Sequence, residues 1–274
     1  MKQKTQQSTA KQQVHDFWNE AACGESLYLQ TSDRAGYLAQ SSERYRLEPF
    51  ILPFANFGNT KGRKVLEVGV GLGADHQRFA EAGADLYGID LTERAVEHTQ
   101  RRLALFGLNS TLSVGDAEHL NFPDESIDLV YSWGVLHHSP DTSKAVAEVY
   151  RVLKYGGEAR IMIYHKWSMI GAMLWLRYGL LAGRPWRTLS SIYAEHLESP
   201  GTKAYSIAEA RHLLDVFTEV KISTPLGHGD LLESDVGQRH RGLALTLAKK
   251  LWPRWFIRRF LPGAGLFMLI EARK

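Results

Sequence analysis

Three glycines and a set of carboxylates carry the strongest chemical signal in this chain. Gly69, Gly71 and Gly73 follow the aliphatic run 65–70, and residues 74–82 after them read as a helix stopped at Gly83. Strand, glycine turn and helix let a nucleotide-like ligand lie against bare backbone beside a helix N-terminus. Glu67 stands two positions before the first glycine, Asp90 ends the next apolar run, and Asp116-Ala117-Glu118 closes the third. A carboxylate about 20 residues after such a turn can accept the hydroxyls of a ribose. Acids at the ends of three neighbouring strands make a rim that favours a cationic ligand and repels a pyrophosphate. A second group is proton-handling: His137 and His138 follow the fourth strand, and Tyr164 and His165 end the fifth. Imidazoles in that place can take a proton from a bound molecule near neutral pH.

The elements that must position these residues alternate regularly. Strands are expected at 65–70, 84–90, 111–114, 127–133 and 159–164, with helices at 74–82, 92–105 and 141–153 between them. Two later strands, 220–224 and 266–272, complete an α/β, doubly wound, mostly parallel seven-stranded sheet as an edge pair. Thr92 is a candidate N-cap, and Ser206-Ile207-Ala208-Glu209 is a capping box opening another helix. Residues 1–13 are expected as a disordered tail, 14–60 as a helical N-terminal cap, and 61–274 as the ligand-binding domain. Lid insertions fall at about 165–205 and 226–264. Residues 167–182 read as an apolar cap helix, shorter than the roughly 20 residues that span a bilayer.

Composition narrows the function classes. The 274 residues are 44% hydrophobic and 23% charged, which is ordinary globular material, and a net charge of +3 is too small to point to nucleic acid. The single cysteine, Cys23, excludes an internal disulfide and reads as a small buried hydrophobe. No acid and histidine cluster has metal-ligand spacing, so no metal is expected. The N-terminal residues lack the apolar core of a signal peptide, which leaves the cytoplasm as the expected compartment. Residues 239–259 carry seven Lys/Arg and no acid, interleaved with Trp252, Trp255 and Phe256. That stretch reads first as a solvated face, with peripheral membrane contact the less favoured alternative.

Residues 62–164 resemble the core of a class I S-adenosylmethionine (SAM)-dependent methyltransferase, of the group that includes the quinone-biosynthesis methyltransferases. The turn ending Gly69-Val70-Gly71-Leu72-Gly73 matches the first motif, Gly88-Ile89-Asp90-Leu91 the ribose motif, and Gly115-Asp116-Ala117-Glu118 the adenine motif. Ser132-Trp133-Gly134-Val135-Leu136-His137-His138 corresponds to the fourth, and Arg151-Val152-Leu153-Lys154-Tyr155-Gly156-Gly157 to the turn before strand five. The resemblance implies SAM as cofactor, held by Glu67, Gly69, Gly71, Gly73, Asp90, Leu91, Asp116, Ala117, Glu118 and Trp133. It implies His138 as the base candidate, with His137, Tyr164 and His165 as further candidates, acting on a hydrophobic or anionic small-molecule acceptor. The fourth motif lacks the proline-proline-aromatic signature of nucleic-acid amino-methylation, which argues against DNA or RNA. Two other readings compete: an NAD-type oxidoreductase built on the same glycine turn, and a SAM-binding protein without catalysis.

Overall fold

A computed structural model describes residues 2–233 and 252–274, with side chains from residue 9 onward. Seven strands form one sheet: β1 (Lys64–Val68), β2 (Asp85–Asp90), β3 (Thr111–Val114), β4 (Ile127–Trp133), β5 (Leu153–Tyr164), β6 (Glu219–Ser223) and β7 (Phe267–Arg273). Their order is β3-β2-β1-β4-β5-β7-β6. The first five are mutually parallel, and β7 runs antiparallel between β5 and β6. Strand order reverses between β1 and β4, and in open α/β sheets a ligand crevice lies outside the carboxyl ends of the strands at such a switch point.

Side chains alternate along the strands to build a core on each face. From β4, Ile127 and Val130 pack on one side with Val146 and Val149 of α7 (Thr142–Val152) and Ala210 of α10 (Ile207–Leu213). Leu129 and Tyr131 pack on the other with Ile51 and Phe54 of α4 (Ile51–Ala55) and Tyr193 of α9 (Leu189–His196). Between them these faces leave the central strands almost without exposure, as a parallel sheet requires.

Local signals set the helices around the turn. Thr92 caps α6 (Glu93–Phe106) by accepting from Ala95 N, and Ser206 with Glu209 closes the expected capping box on α10. Helix α5 (Ala74–Glu81) starts at Gly73, and α3 (Arg34–Leu47) is capped by Asp33. Arg102 of α6 is fully buried and ties these pieces together. Its guanidinium donates to Gln77 Oε1, Gln40 Oε1 and the carbonyls of Leu72 and Tyr37, and also reaches Ser41 Oγ.

Four expectations change. The tail expected over 1–13 is instead part of one helix, α1 (Lys2–Glu20); its Lys, Gln and Ala content suits a helix, and Val14 is buried. Within the N-terminal cap, residues 28–38 read on sequence as irregular, with helical spacing resuming at 43; helix α3 instead begins at Arg34. The cap helix expected at 167–182 is α8 (Met169–Trp175) followed by a π-helical turn, Leu176–Leu180. Strand β5 starts six residues early, because a register shift between Ile127 and Leu129 of β4 accommodates Gly156 in a left-handed conformation. Much of the basic stretch, residues 239–251, lies outside the described residues. Among the described residues no helix is long and apolar enough to cross a membrane.

Arg102→Met should destabilise the fold by about 3 kcal/mol or more, because the acceptors around the guanidinium would be left buried and unpaired. Urea denaturation measures it; a loss below about 1 kcal/mol would show that those acceptors find other donors.

Candidate active site

A cavity of about 360 Å³ opens where the carboxyl ends of β1, β2, β4 and β5 meet helices α1 and α3. One end is built by the glycine turn. Gly69 has φ 86°, and a Cβ there would come within 2.1 Å of Val135 Cγ2, so only glycine lets the turn close on β4. Gly71, at φ 51°, would send a Cβ into open space: its backbone is the bare surface of the cavity. Asp90 faces it and is already oriented, accepting from Gly71 N, Thr92 N and the Thr92 hydroxyl at 2.9–3.2 Å. Burial pushes the Asp90 carboxyl up, against those hydrogen bonds.

Beside the turn, Glu67 is 2% exposed and lies 2.8 Å from His76 Nδ1. Burial raises the Glu67 carboxyl well above its usual range and lowers the His76 imidazole to about 3, which makes this a neutral pair. Asp75, open on sequence to an ammonium contact, is instead saturated by Arg44, Tyr45 and Tyr131. Asp116 and Glu118 share the ammonium of Lys11, at 2.6 and 2.8 Å. Burial pushes both carboxyls up, and Lys11 together with their other hydrogen bonds more than offsets it, holding them below the usual range.

The other end is built around His138. Its Nδ1 is 2.8 Å from Ser199 Oγ and 3.1 Å from Thr202 Oγ1. The Thr202 hydroxyl donates to the Ser199 carbonyl, which leaves its oxygen free to accept. Nε2 is buried, without a hydrogen bond and 3.5 Å from Glu198 Oε2. Tyr164 donates to that same carboxylate oxygen at 2.7 Å, and burial keeps the phenol well above its ordinary range.

The predicted site residues divide accordingly. Glu67, Gly69, Gly71, Gly73, Asp90, Leu91, Asp116, Ala117, Trp133, His138 and Tyr164 all line the cavity. Glu118 is not on that wall; it braces the loop after β4 by accepting from the Ser139 hydroxyl and Asp141 N. His137 is fully buried behind the wall, packed between His138 and Tyr164 at ring separations of 4.2 and 4.1 Å, and burial keeps it neutral. His165 points elsewhere: its Nδ1 meets the Gly265 carbonyl at 3.1 Å.

Three wall residues carried no signal in the sequence. Glu48, the C-cap of α3, has an Oε2 without a hydrogen bond, and burial lifts its carboxyl to about 7. Glu198 comes from the first lid insertion. Cys23, expected in the core, stands instead on the cavity wall; its enclosure in the cleft and the nearby Glu198 push its thiol up to about 12. His137, His138 and Glu198 offer ligand atoms within 4.8 Å of one another, a grouping that spacing along the chain did not predict.

Residues 66–161 match the family model described as a methyltransferase domain. Phosphoethanolamine N-methyltransferase 2 of Caenorhabditis elegans is 35% identical over 113 residues, 40% of this chain and 26% of that protein. Sterol 24-C-methyltransferase erg6 of Aspergillus fumigatus is 33% identical over 118 residues, 42% of this chain and 30% of that one. The chain thus spans under a third of these curated relatives. Among solved structures, Haemonchus contortus phosphoethanolamine N-methyltransferase 2, bound to phosphomonomethylethanolamine and S-adenosylhomocysteine, superposes with a TM-score of 0.59 at 19% identity. That match covers 95% of this chain and 60% of the other. A methyltransferase partnered with the Trm112 activator of Haloferax volcanii gives 0.57 at 16% identity, over 87% and 93% of the two chains. At these identities the structures establish the fold, and the family match sets the oxidoreductase reading aside. Glycine turn, strand-end carboxylates, sheet order and family match agree: this chain carries a class I methyltransferase domain whose cofactor is SAM.

Proposed function

We propose that this protein methylates a small, largely apolar acceptor that presents a hydroxyl, an amine or an acidic carbon to His138. The observation that carries the reading is that one cavity joins the glycine turn and Asp90 at one end to the unpaired Nε2 of His138 at the other. Asp90 is oriented to take ribose hydroxyls, Gly69–Gly73 to underlie the nucleoside, and Asp116 to accept at the adenine edge. The methionine end falls near Glu67, whose neutral pairing with His76 makes it a hydrogen-bonding group more than a counter-charge. Bound SAM supplies a methyl group on a sulfonium, a displacement that asks the protein mainly for alignment and dryness.

The chain's own residues supply both. Trp133 packs among Phe50, Phe54 and Phe267 at ring separations of 5.9–6.0 Å and forms an apolar wall. Val14, Phe17 and Trp18 of α1 and Ile170 and Leu197 of the lid add apolar wall, with Trp18 edge-on to His138 at a ring separation of 5.4 Å. Thr202 and Ser199 hold the imidazole at Nδ1, and Nε2 takes the acceptor's proton. Glu198, held by Tyr164, stabilises the imidazolium that forms. The carboxylates of Glu48 and Glu198 make this end acidic, which favours a neutral or amine-bearing acceptor over an anionic one. The names of the relatives, phosphoethanolamine and sterol methyltransferases, are compatible with amine and carbon acceptors and do not choose between them.

Calorimetry with SAM, S-adenosylhomocysteine and NAD, followed by an acceptor screen read by mass spectrometry, tests the reading. Binding of SAM with no methylated product from any acceptor would favour a non-catalytic binder; binding of NAD alone would end the proposal. Asp90→Ala should weaken SAM binding by roughly 1.5–3 kcal/mol in a variant that melts as a folded protein. An unchanged dissociation constant would remove Asp90 from the ribose site.

Once an acceptor is known, His138→Ala should lower kcat by roughly 10²–10⁴-fold while SAM affinity stays within twofold of wild type, on the order expected for loss of a general base. Equal losses in kcat and in SAM binding would make His138 a structural residue.

Glu48 gives a pH signature. Its folded-state carboxyl titrates at about 7 against 4.5 unfolded, so the folded protein holds the extra proton between those values. Its contribution to stability is fully present below about pH 4.5 and is lost as pH rises through about 7. Relative to Glu48→Gln, wild type should lose of order 1–3 kcal/mol of unfolding free energy from pH 4.5 to pH 8, measured by urea titrations. Parallel curves for the two proteins would show that Glu48 is ionised throughout.

A further inference from the structure

The lid over the acceptor end carries an outer surface that the chemistry of the cavity does not use. Between α8 and α9 every residue from Leu180 to Trp186 is exposed, with Leu181 and Trp186 both at 76%. Trp167, just before α8, is 64% exposed. Helix α11 (Arg254–Phe260) buries Ile257 alone and leaves Trp255 74% exposed, with Phe256 and Phe260 about half exposed. Met169 N donates to the Ala264 carbonyl at 2.8 Å, which brings Trp167 and the start of α8 beside the chain leaving α11. Large apolar side chains at such exposure, gathered in two neighbouring segments, mark an interaction surface.

Charge identifies what the surface fits. Residues 166–187 hold four basic residues and no acid, and residues 252–262 hold three and no acid. Lys166, Arg187 and Arg258 are paired with Glu209, Glu195 and Glu233. Arg184 and Arg259 are exposed, and the Arg259 guanidinium lies over the Phe260 ring at 5.5 Å. Tryptophan and leucine interleaved with arginine, without a carboxylate, suit the boundary between acyl chains and anionic headgroups. A protein partner of ordinary polarity would not require the two segments to be free of acids. Ile170 of α8 and Leu266, just past α11, line the cavity, so the same insertions form both its inner wall and this outer face.

We propose that the face formed by residues 167–186 and 254–260 seats the protein on an anionic lipid bilayer, with the acceptor end of the cavity toward the membrane. The apolar side chains enter the headgroup boundary, and the arginines hold it electrostatically. Among the described residues no helix is long and apolar enough to cross, so the proposed contact is peripheral and reversible. The proposal concerns the surface alone and does not depend on which acceptor is methylated.

The test is cosedimentation of the full chain with vesicles of phosphatidylcholine alone and of phosphatidylcholine mixed with phosphatidylglycerol, together with tryptophan emission. Wild type should pellet with the anionic vesicles, release as salt is raised, and shift its emission to the blue on binding. Leu181→Ser/Trp186→Ser/Trp255→Ser changes only exposed side chains and should abolish pelleting while SAM binding by calorimetry stays unchanged. Arg184→Ser/Arg259→Ser should weaken pelleting by about fivefold for each arginine. No pelleting of wild type with anionic vesicles would overturn the proposal. So would a concentration-dependent dimer that the triple variant dissolves, since the face would then join two copies of the chain.

Discussion

The carboxylate of Asp75, 3% exposed, is the interaction on which the site's geometry rests. It stands in the first turn of α5, directly after the glycine turn, and takes a 2.7 Å bond from Arg44 and bonds of 2.9 and 2.8 Å from Tyr45 and Tyr131. One buried anion therefore fixes α3, α5 and β4 relative to one another. Buried ion pairs add little net stability, because desolvation cancels most of the attraction. What they impose is geometry, since every alternative arrangement strands a charge. Here the imposed geometry holds the mouth of the turn against β4. Committing Arg44 to Asp75 has a second consequence. Glu48, one helical turn from Arg44, is left with its nearest cation 3.5 Å away and no hydrogen bond on Oε2. The same constraint that builds the turn leaves Glu48 with only a long ion pair to Arg44 on the cavity wall.

The half of the site around the turn was legible because its residues are local in sequence. Gly69, Gly71 and Gly73 answer to a steric demand of one turn, and Asp90 and Asp116 to the ends of strands whose apolar runs are plain. The sheet was legible for the same reason, down to β7 and β6 as the terminal pair. The acceptor half was not. His138 meets Ser199 and Thr202 across 61 and 64 positions, and no periodicity reports a contact of that span. Glu48 reads as an ordinary helix-end acid until Arg44 is seen to be engaged elsewhere. Cys23 reads as a core residue, since the cavity it faces is made by elements far from it in the chain. His165 was grouped with Tyr164 by adjacency, but neighbours in a strand point to opposite faces. The N-terminal helix was missed because its polar composition fits a solvated tail equally well; only the docking of Val14 and the Lys11 bridge to Asp116 separate the two.

Charge in the cavity follows one rule from end to end: cations of the protein are used up, and carboxyls are not. Arg44 is spent on Asp75 and Lys11 on Asp116 and Glu118, while Glu67, Asp90, Glu48 and Glu198 remain on the wall. Burial raises the first three of these acids, and a cationic ligand would lower them again, because a positive charge in a dry cleft favours the ionised carboxylate.

Hydrogen bonding also explains how His138 and Glu198 come to face each other. Ser199 and Thr202 engage Nδ1 at 2.8 and 3.1 Å from behind the ring, and Tyr164 donates to the Glu198 carboxylate, whose Oε2 stands 3.5 Å from Nε2. Ring and carboxylate are each held by a partner on another part of the chain, so their separation is set by the fold and not by contact between them. In the proposed reaction, charge developing on His138 would therefore meet a carboxylate whose position is fixed beforehand.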